Sequence, residues 1–256
     1  MMNDETIDAA IAHYRAHGWA RLGVVAGEDV LAPLRARADA IMLGEVSYDG
    51  LFFQHDSATG RYDDLEYGKG WQGPSLEYRK VEKLEKDPLF WSWIASDVFR
   101  RVASRVYPGG VSLYRAFLMN KHAAGGSELP WHQDGGSFWG LDRDPVLQIW
   151  TGIDDAPLDG GCVEVVPGTH AAGLATSLGG VVPADKVAAA DAEAHVLPIP
   201  TVAGEVLLIH NHVWHRSGRT KTGRPRRALS VCYMDAATQC RRRKRAPREF
   251  VRVWSA

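Results

Sequence analysis

Residues Trp131 to Asp134 read W-H-Q-D. His132 and Asp134 stand two apart, and on an extended backbone side chains alternate between faces, so both point the same way. An imidazole and a carboxylate can then grip one metal ion. A second imidazole from elsewhere would complete a facial set of two histidines and a carboxylate. Such a set leaves the opposite face of an octahedron open, and non-haem Fe(II) oxygenases use that face to admit a co-substrate and dioxygen. The motif is short, and a surface histidine beside a solvated aspartate is the alternative reading. The segment L-I-H-N-H-V-W-H-R-S-G offers His210, His212 and His215, of which only one is needed. A histidine at a strand end just before a turn is best placed to reach across to H-x-D, and His215 fits that description. Four arginines follow: Arg219, Arg224, Arg226 and Arg227. An arginine at the start of the next strand-like run can pair with a carboxylate through two parallel hydrogen bonds, where lysine is a poorer geometric match. Chemistry alone does not choose among the four.

The elements that must position these groups are readable in outline. Apolar residues recur at helical spacing over residues 6–16 and 28–44, and Trp19 to Val25 between them reads as a short strand. Residues 47–80 lose periodicity and are rich in glycine and aromatic residues, the texture of a long binding loop or lid. Asp87-Pro88 resembles a helix start, and Phe90, Ile94, Val98, Val102 and Val106 carry an apolar stripe to the stop at 107–110. After Gly110 the chain becomes a series of short strand-like runs. They are V-S-L-Y-R-A-F-L-M-N, V-L-Q-I-W-T-G-I, C-V-E-V-V, H-V-L-P-I, E-V-L-L-I-H and A-L-S-V-C-Y-M, with one helical insert over 183–194. Many short strands with glycine and proline turns favour a sandwich or barrel, with a helical flank over about 1–106 and a strand core over about 110–235 in one domain, 1–256.

Composition narrows the classes. With 256 residues and 45% hydrophobic content, the chain can bury one large core. A formal net charge of −1 argues against nucleic acid or an acidic membrane as a general partner, so a small-molecule substrate is expected. The basic run Arg241 to Arg248 reads as a solvated segment, with a nucleic-acid patch or a face toward an anionic substrate as alternatives. Cys162, Cys232 and Cys240 form no C-x-x-C pair, which fits a reducing compartment without disulfides or structural zinc. No signal peptide or run of about 18 apolar residues is present, so a cytoplasmic protein is expected. Oligomeric state is not encoded in any pattern seen here.

W-H-Q-D, then I-W-T-G-I-D-D-A-P-L-D-G-G-C-V-E-V-V-P-G-T-H, then H-R-S-G-R-T-K-T-G-R-P-R-R-A-L-S resembles the signature of the phytanoyl-CoA dioxygenase family of Fe(II)- and 2-oxoglutarate-dependent oxygenases. The likeness runs from about Lys80 to Met234. It implies a mostly β fold with flanking helices: a double-stranded β-helix, the cupin-like jelly roll. It implies His132, Asp134 and His215 as iron ligands and selects Arg226, eleven residues after His215, as partner of the distal 2-oxoglutarate carboxylate. Ser217 matches a position that assists that carboxylate. Trp150 and Phe117 match positions lining the co-substrate pocket, and Lys80 aligns with a lysine that can reach 2-oxoglutarate. His170 would brace a loop, and His210 and His212 would lie in the core or behind the ligands. The implied reaction consumes dioxygen and 2-oxoglutarate, releases succinate and carbon dioxide, and hydroxylates an unactivated carbon. Desaturation, epoxidation and ring closure are variants of it. Halogenation is disfavoured because Asp134 fills the position that related halogenases vacate. No protein acid or base is required beyond the metal ligands. A non-redox metal cupin acting as a hydrolase or isomerase is the competing class; it would have no use for Arg226 or Ser217.

Overall fold

A computed structural model of the chain describes residues 2–242 and 246–256. Helix α1 (Asp4–His17) starts where Asn3 Oδ1 accepts a hydrogen bond from Thr6 N at 2.8 Å. It ends at Gly18, in the left-handed region with φ 81°, whose N–H closes on Tyr14 O. A side chain there would put its Cβ 2.6 Å from His170 Nδ1, so both space and backbone demand glycine. Strand β1 (Trp19–Val24) and helix α2 (Glu28–Met42) follow, as the spacing predicts.

The stretch 47–80 is not all loop. It holds strand β2 (Phe52–His55) and the start of β3 (Tyr78–Glu82), paired antiparallel, with residues 56–77 between them. β2 has only four residues and no clean alternation, so no periodicity betrays it. The stripe over 88–106 is likewise broken into α3 (Pro88–Ile94) and α4 (Asp97–Val106), because Ser96 takes an extended conformation at ψ 151°.

β4 (Val111–Lys121), β5 (Leu129–Gln133), β6 (Leu147–Gly152), β7 (Val163–Val166) and β8 (Gly180–Val181) come next, then helix α5 (Ala184–Ala189), shorter than its composition predicts. The chain finishes with β9 (Leu197–Ile199), β10 (Glu205–His210), β11 (Trp214–Ser217), β12 (Arg226–Asp235) and a short β13 (Arg252–Trp254) that the sequence did not announce. Two antiparallel sheets result. The larger runs β1-β10-β6-β12-β4-β3-β2, with β13 beside β4; the smaller runs β8-β5-β11-β7-β9. This is the jelly roll.

Period-two alternation divides the larger sheet between two tasks. Leu147, Ile149, Val206, Leu208, Leu229, Val231 and Tyr233 face the helices and join Ile7, Leu31, Phe90 and Phe99 in the main core. Their alternates, among them Gln148, Trp150, Ser230 and Ile209, turn toward the smaller sheet and line the space between the two. The helical layer thus covers one face of the larger sheet and leaves the other for the site. Cys162, Cys232 and Cys240 are all free thiols. No helix among the described residues is long and apolar enough to cross a membrane.

Asp87 fastens the helical layer. Fully buried, it caps α3 through Leu89 N and Phe90 N and accepts from Tyr48 Oη at 2.9 Å and Arg37 Nη1 at 2.5 Å. We expect Asp87→Ala to cost about 2 kcal/mol in urea unfolding, through the lost cap and the charged hydrogen bond. Asp87→Asn should cost less, because the amide oxygen still caps.

Candidate metal centre and its cavity

β5 and β11 pair with His132 directly opposite His215, and the two imidazole centroids lie 3.9 Å apart. Asp134 follows one residue after β5, its N–H bonded to Asn211 O at 2.7 Å in the turn before β11. One ligand atom from each of the three lies within 4.8 Å of the others, and His215 Nε2 is 3.9 Å from Asp134 Oδ2. The tautomers suit a metal. His132 Nδ1 donates to Pro130 O and His215 Nδ1 to Val213 O, both at 2.9 Å. A carbonyl can only accept, so Nδ1 carries the proton and Nε2 keeps the lone pair that a metal requires. Gln133 points the other way, as alternation demands. Its amide donates to Gly173 O and His212 O and accepts from Ala175 N, pinning the strand from behind.

The carboxylate is held by a residue that the motif reading missed. Arg115 Nη2 donates to Asp134 Oδ1 at 2.9 Å, with the guanidinium 4.7 Å from the rings of both Phe117 and Trp139. Burial would raise the Asp134 pKa, but Arg115 and the two histidines outweigh it and hold it at about 2. Burial, then the neighbouring His215, pushes the His132 imidazole down to about 3. At neutral pH these two ligands are therefore a carboxylate and a neutral imidazole. In sequence Arg115 is only a charge two residues before Phe117, on the same face of a strand that also holds Ser112, Asn120 and Lys121, and no pattern singles it out.

Arg226 opens β12 opposite Lys121 and is 3% exposed. Its Nη2 donates to Gly161 O at 2.7 Å, while its Nε–H is buried without an acceptor. Burial lowers its pKa to about 10. Ser217 closes β11. Trp150 and Phe117 flank Ser230, one on each neighbouring strand, and the Ser230 hydroxyl is buried without a partner. Lys80 on β3 is paired with Glu82, its Nζ 4.6 Å from the Phe117 ring. Burial, then Arg115, brings its pKa down to about 8. All eight residues singled out from the sequence line one cavity of about 480 Å³.

Three histidines stay outside it. His170 bonds Arg15 O through Nε2 at 3.1 Å and lies against His210, while His212 Nε2 is 3.4 Å from Asp144. Within the basic segment, Arg248 packs over Tyr114 and Arg241 lies 3.9 Å from Asp142. Arg243, Lys244 and Arg245, part of the same charge cluster, lie outside the described residues.

Fold and site together define a jelly roll carrying a facial His-Asp-His set between its sheets. The model of the phytanoyl-CoA dioxygenase (PhyH) family matches residues 14–228, and the chain belongs to that family. Among curated relatives, a phytanoyl-CoA dioxygenase of Arabidopsis thaliana is 28% identical over 70% of this chain and 63% of its own length. The chain spans less than two thirds of the length of the first such relatives. Among solved structures, AviO1 from Streptomyces viridochromogenes Tue57 is 25% identical with TM-score 0.64, covering 93% of this chain and 97% of that one. The epimerase SnoN of nogalamycin biosynthesis, in complex with Fe3+, alpha ketoglutarate and nogalamycin RO, has TM-score 0.71 at 17% identity, over 95% of this chain and 89% of that one. At that identity the likeness is one of fold.

The histidines behind the site make acid stability a test of the packing. Burial, then His170 and His212, push His210 from 6.5 down to about 3. Because the folded value is the lower one, its contribution is complete above about pH 6.5 and is lost as pH falls toward about 3, where the unfolded chain binds a proton that the fold refuses. We expect the Tm of the metal-free protein to drop between about pH 7 and pH 5, and His210→Gln to flatten that drop. Parallel profiles for the two proteins would contradict the assignment.

Proposed function

We propose that this chain is an Fe(II)- and 2-oxoglutarate-dependent oxygenase that hydroxylates an unactivated carbon of a small-molecule metabolite, releasing succinate and carbon dioxide. The observation that carries the reading is one cavity holding both a facial His-Asp-His set and a buried arginine with an unanswered N–H. The donor set fits a ferrous ion: two imidazole nitrogens and one carboxylate, all lining the cavity. The orphaned Nε of Arg226 fits a carboxylate at the cavity floor, as 2-oxoglutarate would bring.

In this reading His132, Asp134 and His215 hold the metal, and Arg226 with Ser217 anchors the distal carboxylate of the co-substrate. When bound, iron and 2-oxoglutarate together supply the oxidising power, drawn from dioxygen. The chain's own part is to bind, orient and enclose. Arg115 keeps one Asp134 oxygen engaged and the carboxylate ionised, so the other oxygen is oriented toward the metal position. Phe117 and Trp150 form flat apolar walls, and Lys80 with Glu82 closes the side next to Phe117. No side chain has to accept a proton from the carbon that is oxidised. Desaturation, epoxidation or ring closure would use the same residues. A non-redox hydrolase would leave the burial of Arg226 without purpose, since an unpaired interior guanidinium destabilises the fold.

Anaerobic titration tests this directly. Fe(II) followed by 2-oxoglutarate should raise a weak visible charge-transfer band that His132→Ala abolishes. 2-Oxoglutarate should also raise the Tm of the wild type, and Arg226→Gln should weaken its binding by about 10- to 100-fold, the worth of a charged hydrogen-bond pair. Turnover that needs neither oxygen nor 2-oxoglutarate would favour the hydrolase instead. A succinate-release screen across metabolite classes then identifies the substrate.

A further inference from the structure

Five cationic side chains line the cavity: Arg79, Lys80, Arg115, Arg216 and Arg226. Asp134 is the one acid among its lining residues. Three of the five are answered by carboxylates. Arg115 pairs with Asp134, Lys80 with Glu82, and Arg216 with Glu164 and Glu193. Arg226 is the co-substrate anchor proposed above. Arg79 has no such explanation. It is 6% exposed, and its one hydrogen bond is from Nη1 to the neutral Gln54 Oε1 at 3.0 Å. No carboxylate of the described residues forms an ion pair with it.

Its orientation is built into the backbone. β2 and β3 pair Gln54 with Lys80 and then His55 with Tyr78, so β3 carries one extra residue, and that residue is Arg79. A bulge of this kind breaks alternation and re-aims a side chain. Lys80 and Arg79, adjacent in sequence, consequently both reach the cavity, whereas Val81 keeps to the core. The guanidinium stands 5.8 Å from the ring of Tyr62, whose hydroxyl is 3.4 Å from that of Tyr67. Tyr62 in turn lies near enough to Asp134 to feel its charge. Arg79 is rooted two strands from Arg226, with β4 between them, about 10 Å at ordinary strand spacing. Arg226 nevertheless feels the charge of Arg79, so the affinity of Arg79→Gln for 2-oxoglutarate decides whether one dianion serves both.

We propose that Arg79, presented by the bulge and steadied by Gln54, is the recognition site for a carboxylate on the substrate to be oxidised. Nη1 is occupied by Gln54, which leaves the Nε and Nη2 edge of the guanidinium, the edge that meets both oxygens of a carboxylate side-on. Tyr62 lies against it, and Tyr67 and Trp139 line the same cavity, so the substrate class is a small organic acid with an unsaturated or ring body. This rests on reading Arg226 as the 2-oxoglutarate anchor, and the two ideas fail separately.

The test uses protein loaded anaerobically with Fe(II) and saturating 2-oxoglutarate, titrated calorimetrically with benzoate and with its uncharged isostere benzamide. We expect the wild type to bind benzoate at least tenfold more tightly, Arg79→Gln to erase that preference, and Arg79→Lys to keep part of it. The affinity for 2-oxoglutarate should be the same in wild type and Arg79→Gln. The wild-type comparison needs no variant, so a poorly folding Arg79→Gln would not rescue the idea. Equal binding of benzoate and benzamide to the wild type overturns it, as does a preference surviving in Arg79→Gln. Loss of 2-oxoglutarate binding in Arg79→Gln, as large as in Arg226→Gln, would move Arg79 into the co-substrate site and also overturn it. Inorganic sulfate displacing benzoate at equal affinity would overturn the choice of a carboxylate. Failure of the wild type to bind 2-oxoglutarate at all, with the benzoate preference intact, would sink the co-substrate reading alone.

Discussion

The cross-strand pairing of His132 with His215 is the constraint on which the site depends. Side chains on a strand alternate, so a slip of one residue between β5 and β11 would carry one imidazole to the far face and dissolve the metal set. Several contacts hold that register, none of them a ligand. Gln133, on the reverse face of β5, is tied to three backbone groups in the chain around 173–175 and 212. The Asp134 N–H bonds the turn that leads into β11, and β11 is clamped on its other edge by four consecutive pairings with β7. The three side chains are thus brought together by sheet geometry. For an ion held there as proposed, little would have to be ordered on binding.

Charge is the second organising quantity. Burying guanidinium and ammonium groups around a cavity is unfavourable unless acids answer them, and the acids here are apportioned unevenly. Arg115 is spent on Asp134, where with the two histidines it holds the carboxyl below the usual carboxylate range. Lys80 is spent on Glu82. Arg226 and Arg79 are the two cavity-lining cations with no ion pair among the described residues. A buried polar group without a partner calls for an explanation, and a bound ligand is one. The Ser230 hydroxyl, also unpartnered, sits between Phe117 and Trp150 in the same space.

How much of this could be read from the chain depends on the range of the interaction concerned. Strands β4, β6, β7, β9, β10 and β12 announce themselves as short β-prone runs between turns, and in L-Q-I-W-T core-facing and cavity-facing residues alternate with period two. His132 and Asp134 are legible for the same reason, and Arg226 through a spacing that the family resemblance supplied. β2 and the break at Ser96 were hidden, since a four-residue strand and a one-residue change of ψ leave no period to detect. Arg115 and Arg79 were hidden differently. Each is an ordinary arginine in sequence, and its role depends on a partner or bulge that only the assembled sheet creates.

That difference explains why the cofactor chemistry is clearer than the substrate. The candidate metal ligands, Arg226, Ser217, Phe117 and Trp150 lie on or beside strands of the two sheets, where register dictates position. The outer wall is drawn from connections: Tyr62 and Tyr67 from 56–77, Phe138 and Trp139 from the segment after Asp134, and Leu178 and Gly179 before β8. Loops tolerate changes in length and composition that strands do not, so one sheet scaffold can keep a reaction while its loops exchange substrates. Arg79 is the exception: a cavity-facing cation rooted in a strand, on the side where the loop aromatics gather, and aimed there by a bulge. A charge fixed by the sheet constrains the substrate more tightly than aromatic surfaces carried on loops. The bulge on β3 is therefore where this cavity's selectivity is most firmly rooted.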